Sequence, residues 1–151
     1  ADTRDIASMP TSQYVVGYPT LISGRRLLSY QYYISRFWLK FTKQKEHRFP
    51  QKRHRLTAPK SHGVYVICRN DGVLHVGRTL RGREGLRQRL TDHLRGNSSF
   101  VRDDLNGQGA TLRGTGYTYQ FLVEQDARTR ALLEALATGT LCPRRIGTGR
   151  K

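Results

Sequence analysis

Two polar residues with chemical potential sit four positions apart in a leucine-rich stretch. They are Arg89 and His93, within the run Leu86 to Leu94. Leu86, Leu90 and Leu94 recur at i, i+4 and i+8, which marks one edge of a helix. Arg89 and His93 fall beside that edge and turn toward the rest of the fold, whereas Arg87 falls on the other flank. A guanidinium fork suits a phosphoryl oxygen and stabilises charge that builds in a transition state. The plainer alternative is a surface arginine. His93 titrates near neutral pH and can relay a proton, or it serves as a hydrogen-bonded structural histidine. Tyr65 alternates with Val64 and Val66, so it faces the opposite side of its strand. A phenol is a poor base at its ordinary pKa of about 10, and a core aromatic is the usual role of a strand tyrosine. Glu134 lies among Ala131, Leu132, Leu133, Ala135, Leu136 and Ala137. A carboxylate there needs a cation to offset desolvation. One carboxylate with waters suits Mg²⁺; a salt bridge, for example to Arg130 or Arg89, is the alternative.

The elements that must position these groups read clearly in the second half. Gly63 to Cys68 is a strand by its β-branched and aromatic content. Asn70-Asp71-Gly72 is a turn signal, and Val73 to Val76 resumes strand character, giving a hairpin. A Gly/Arg-rich loop, Thr79 to Gly85, leads into the helix Leu86 to Leu94. Ser98 and Ser99 cap a short helix near Phe100 to Leu105. Gly107 to Gly116 is loop, and Tyr117 to Val123 is a strand. Ala127 to Ala137 is a helix, ended by Gly139 and Pro143. The order is β-β-α-(α)-β-α, an α/β (α+β) class. The expected core is a small three-stranded, mainly antiparallel sheet flanked by helices.

Charge divides the chain. It has 151 residues with 27 Lys+Arg, 11 Asp+Glu and a formal net charge of +16. That magnitude speaks to partners, and a polyanion comes first because each neutralised phosphate releases counterions. Residues 6 to 70 hold a single acid, Glu46, against twelve Lys and Arg. Residues 1–60 therefore read as a basic, partly helical N-terminal arm, with a helix from Arg26 to Lys43, and 61–151 as the folded domain. Within the arm, Lys43, Lys45, Lys52, Arg53 and Arg55 follow a cluster of aromatic residues. They are read as nucleic-acid contacts rather than a merely solvated charge run. No apolar run approaches a membrane span, and no secretory signal is visible. Cys68 and Cys142 match neither a zinc spacing nor a disulfide framework. The expectation is a reduced, intracellular protein, cytoplasmic by preference.

Gly63-Val64-Tyr65 and, ten residues beyond Tyr65, His75-Val76-Gly77 resemble the paired signature of the GIY-YIG nuclease superfamily. Arg78 follows the second motif, where that family commonly has Lys or Arg. The helix with Arg89 and His93 resembles its catalytic helix, and Leu132-Leu133-Glu134-Ala135 its metal-binding helix. The resemblance covers about residues 62 to 147 and not the arm. It implies hydrolysis of a nucleic-acid phosphodiester with one Mg²⁺ (or Mn²⁺) held by Glu134. It also implies that Tyr65 orients or deprotonates the attacking water, helped by His93. His75 stands where the family usually has a second tyrosine and keeps a polar, proton-carrying tip. The asparagine many members carry beyond the glutamate has no counterpart in Leu141 to Gly147. Arg78, Arg81 and Arg83 are placed on the phosphate backbone.

The expected function is thus a metal-dependent endonuclease with catalytic residues Tyr65, His75, Arg89, His93 and Glu134. DNA is favoured over RNA, and monomer and homodimer stay open. The alternative is a catalytically relaxed structural RNA-binding protein of a large ribonucleoprotein, such as a mitochondrial ribosome. A delivered nuclease toxin is a third, weaker reading.

Overall fold

A computed structural model describes residues 25–80 and 82–146. The class is α+β, with one antiparallel sheet between helical layers. The elements are α1 (Arg25–Thr42), β1 (His47–Arg48), β2 (Gly63–Arg69), β3 (Gly72–Arg78), α2 (Gly85–Leu94), α3 (Ser99–Asp104), β4 (Tyr117–Val123) and α4 (Ala127–Leu141). A 3₁₀ turn at Gly109–Arg113 precedes β4.

The sheet has four strands in the order β1-β4-β2-β3, not three. The fourth is the two-residue β1, which pairs His47 with Tyr119 and Arg48 with Thr118. Its two residues are polar and lack strand patterning, so only pairing with the β4 edge makes them a strand. β2 is the central element, antiparallel to both β3 and β4. Alternation sends Tyr65 and Ile67 to one face, against Leu86, Leu90, Phe100 and Leu112. Val64 and Val66 go to the other, against Phe41, Leu122, Leu133 and Ala137. α2 and α3 thus cover the Tyr65 face, while α1 and α4 cover the other.

The boundary expected at 60/61 marks a change in charge but not in packing. Phe49, Leu56 and Ala58 are buried in the Tyr65-side core, and Phe49 lies 4.8 Å from the Tyr119 ring. The basic residues around them are held outward by this inward anchor. The helix of this segment spans Arg25–Thr42, close to the expected range. α4 runs through Gly139 to Leu141, four residues longer than expected. Its stop is Cys142, in the left-handed conformation at φ 44°, followed by Pro143. Glycine alone weakens a helix without ending it. Among the described residues no helix is long and apolar enough to cross a membrane.

Candidate active site

The Tyr65 hydroxyl is the node at which the sequence-identified residues meet. It lies 2.7 Å from His93 Nε2 and 3.5 Å from His75 Nε2, and it accepts a hydrogen bond from Arg89 Nε at 3.2 Å. Three elements make this convergence. Tyr65 projects from β2, His75 from the same face of β3, and Arg89 and His93 from successive turns of α2. Tyr65 and His93 are fully buried, and His75 is nearly so. The expectation that Arg89 and His93 turn toward the sheet holds. Arg87, on the other flank, donates from Nε to the Ala58 carbonyl at 2.9 Å and ties α2 to the preceding segment.

Gly77 supplies the space. It pairs with Tyr65 across the hairpin. A Cβ there would stand 2.5 Å from the Tyr65 hydroxyl and 2.9 Å from His75 Nε2. Neither group has room to retreat, so Gly77→Ala should cost about 1–3 kcal/mol of stability. It should also break the Tyr65–His93 contact. Urea unfolding midpoints check the first expectation, and an unshifted midpoint would refute it.

A side chain beyond the recognised motifs completes the network. Ser98 Oγ caps α3 by accepting from the Val101 N–H at 3.2 Å, and it lies 2.6 Å from His93 Nδ1. The arrangement that satisfies Ser98 has its hydroxyl donating to His93 Nδ1. His93 Nε2 then carries the proton and donates to the Tyr65 oxygen, alongside Arg89. The phenolic proton is left directed at His75 Nε2. His75 stacks on Phe100 at 4.9 Å, with rings 10° from parallel, and its Nδ1 is buried without a hydrogen-bond partner. In the sequence Ser98 carried a turn and cap signal and a place after the α2 helix open to substrate contact; no spacing rule links it to a histidine five residues earlier.

The electrostatics correct one expectation. His93 does not titrate near neutral pH: burial holds its pKa well below the ordinary value, reinforced by His75 and Arg89. Burial likewise lowers His75 to about 4, with Arg89 and Arg145 adding to it. Tyr65 is pushed up to about 12 by burial, against the opposing pull of Arg89. At pH 7 the cluster is therefore one phenol and two neutral imidazoles beside a guanidinium.

Glu134 forms its salt bridge with neither Arg130 nor Arg89. Its Oε2 pairs with Arg78 Nε at 2.7 Å, across the end of β3. Burial still raises its pKa, although Arg78 and then Arg89 act in the opposite direction. Arg130 turns away into the fold, donating to the Thr79, Glu124 and Gln125 carbonyls. It thereby fastens the start of the loop that follows β3. Among the described residues no three His, Cys, Asp or Glu side chains converge as a metal cage. Glu134 alone is a hard oxygen donor, one-third exposed. That fits an ion that keeps most of its waters or takes substrate oxygens.

An open cleft of about 110 Å³ lies beside this network. Arg78, Thr79 and Leu80 form one wall, and Gln88, Arg89 and Asp92 the other. Arg83 is exposed on the same loop, and Arg81 lies outside the described residues. Lys43, Lys45, Lys52, Arg53 and Arg55 are all exposed, but they flank β1, on the sheet edge opposite β3. The fold thus brings the five catalytic candidates to one end and leaves the basic run on a separate surface. In comparisons with known proteins, no family model and no curated protein matches the chain.

Proposed function

We propose that the protein is a metal-dependent endonuclease that hydrolyses nucleic-acid phosphodiester bonds, with DNA the favoured substrate. One observation carries this reading: the Tyr65 hydroxyl, held by Arg89 and facing two imidazoles, sits beside an arginine-lined cleft whose Arg78 pairs with Glu134. Such a cleft suits a phosphate, and the buried hydroxyl network suits the placing of a water against it. Arg78 and Arg89 bind the phosphate oxygens, and Arg89 stabilises the charge that develops on them. Tyr65, whose oxygen accepts from both His93 and Arg89, holds the Arg89 guanidinium at the cleft, where it orients the phosphate for the attacking water. Ser98 and His93 hold the phenol in place. When bound at Glu134, one Mg²⁺ or Mn²⁺ supplies Lewis-acid stabilisation of the phosphoryl group. The exposed lysines and arginines around β1 add salt-sensitive affinity.

The Arg78–Glu134 ion pair favours a second reading. A carboxylate already neutralised by its own chain is what a relaxed, non-cutting RNA-binding member would keep. One experiment separates the two. Plasmid, single-stranded DNA and RNA are incubated with Mg²⁺ or Mn²⁺ and either wild type or Glu134→Gln. The nuclease reading expects metal-dependent cutting that falls at least about a hundredfold in the variant, with metal-free binding retained. Salt-sensitive binding without cutting in either protein establishes the binder instead.

A further inference from the structure

The cleft holds groups that phosphate binding does not explain. Asp92 faces it from α2, one turn after Arg89, in a chain of net charge +16. It makes no ion pair or side-chain hydrogen bond among the described residues. A carboxylate beside two phosphate-binding guanidiniums repels the polyanion, so its place there favours a ligand with N–H donors. Gln88, four residues earlier on the same helix face, is also without a side-chain partner among the described residues. Its Oε1 lies so near Gly82 that a Cβ on that residue would stand 2.7 Å away. The amide therefore reaches across toward the loop. On that loop Leu80 is 68% exposed. It is mounted on a rigid base, because Thr79 is buried and fastened to Gly63, His62 and Arg130.

An apolar wall, an acceptor-only carboxylate and an amide that both donates and accepts are the three things a nucleobase needs. Its face requires an apolar surface, and its edge requires paired donors and acceptors. We propose that this cleft is a subsite for one unpaired nucleobase next to the scissile phosphate, and that it prefers guanine. Guanine presents N1–H and the N2 amino group side by side, which one carboxylate accepts together. Its O6 is then the acceptor for the Gln88 amide. Leu80 packs on the base face, as apolar side chains do where bases leave the stack. The inference rests on the nucleic-acid reading above, but not on cleavage.

The test is therefore binding. Fluorescence anisotropy, in chelator and at fixed salt, compares oligothymidylates carrying one central guanine, inosine, adenine or cytosine. Glu134→Gln serves as the non-cutting background. Guanine should bind about tenfold tighter than adenine or cytosine. Inosine, which lacks the N2 amino group, should fall between them. Adding Asp92→Asn should erase the guanine preference while overall affinity holds or rises, because a negative charge has left the cleft. Adding Leu80→Ala should weaken all four ligands alike. Equal affinities in the parent, a guanine preference that survives Asp92→Asn, a uniform gain with the ranking intact, or no binding at all would each overturn the proposal. A guanine preference in a protein that never cuts would uphold the subsite and sink the nuclease reading alone.

Discussion

Arg89→Ala should slow single-turnover cleavage by on the order of 100- to 1000-fold, or about 3–4 kcal/mol of transition-state stabilisation. Metal-free affinity for the same nucleic acid should fall far less, because under the proposed function the exposed cations around β1 would still hold the backbone. Two tasks meet in this one guanidinium. It lines the cleft, and its Nε donates to the buried Tyr65 hydroxyl at 3.2 Å. Removing it takes away charge where the phosphate would develop more, and it leaves the phenol held by histidines alone. Arg89→Lys should restore little, since one ammonium cannot hold the phenol and a phosphoryl oxygen with a fixed fork. Arg87→Ala is the matched control, because among the described residues that side chain bonds only the Ala58 carbonyl. It should melt earlier yet cut at the parental rate well below its melting temperature. Equal losses of affinity and rate in Arg89→Ala would reduce this residue to a docking contact.

Acidification from pH 7.5 to pH 5 should lower the melting temperature by on the order of 10 °C. The cause is two buried imidazoles. His75 has a folded pKa of about 4 against 6.5 for the free group, and His93 is held well below 6.5. Between those values the unfolded chain binds protons that the folded chain refuses, so stability rises with pH through this window. It is fully present above about pH 6.5 and drains away as the pH falls toward 4, with His75 alone accounting for about 3 kcal/mol at the acid end. Glu134, with its raised pKa, gains slightly on protonation and opposes this trend. Asp126 at the α4 cap is held low, so acidification costs stability there too and adds to it. His75→Phe keeps a ring against Phe100 and removes one titrating group. Its melting temperature should vary less with pH between 4 and 6.5. A wild-type melting temperature that is level from pH 7.5 to 5 would mean that the imidazoles reach solvent.

The arrangement also shows what a motif reading leaves out. His75 is held by more than its strand. Arg145 backbone N–H donates to Leu74 at 3.2 Å, its guanidinium pairs with Asp103 and Asp104 of α3, and α3 carries the Phe100 ring that covers His75. Chain from four separate stretches thus encloses one imidazole.

Local spacing in the sequence was enough for the β2–β3 hairpin, the β4 strand, the leucine edge of α2 and the inward turn of Arg89 and His93. Each follows from the periods of 2 and 3.6 that single elements impose on their own side chains. It also placed Tyr65 on the opposite face from Val64 and Val66. Contacts between distant residues decided the rest. β1 exists because β4 offers an edge to a pair of polar residues. The end of α4 lies at Cys142 because the chain must turn there to run beside β3. Glu134 meets Arg78 rather than Arg130 because three carbonyls from other loops take the Arg130 guanidinium. Ser98 reaches His93 only when α3 folds back under α2. The depressed histidine pKa values are likewise tertiary, since desolvation depends on everything packed around a side chain and not on its neighbours in the chain.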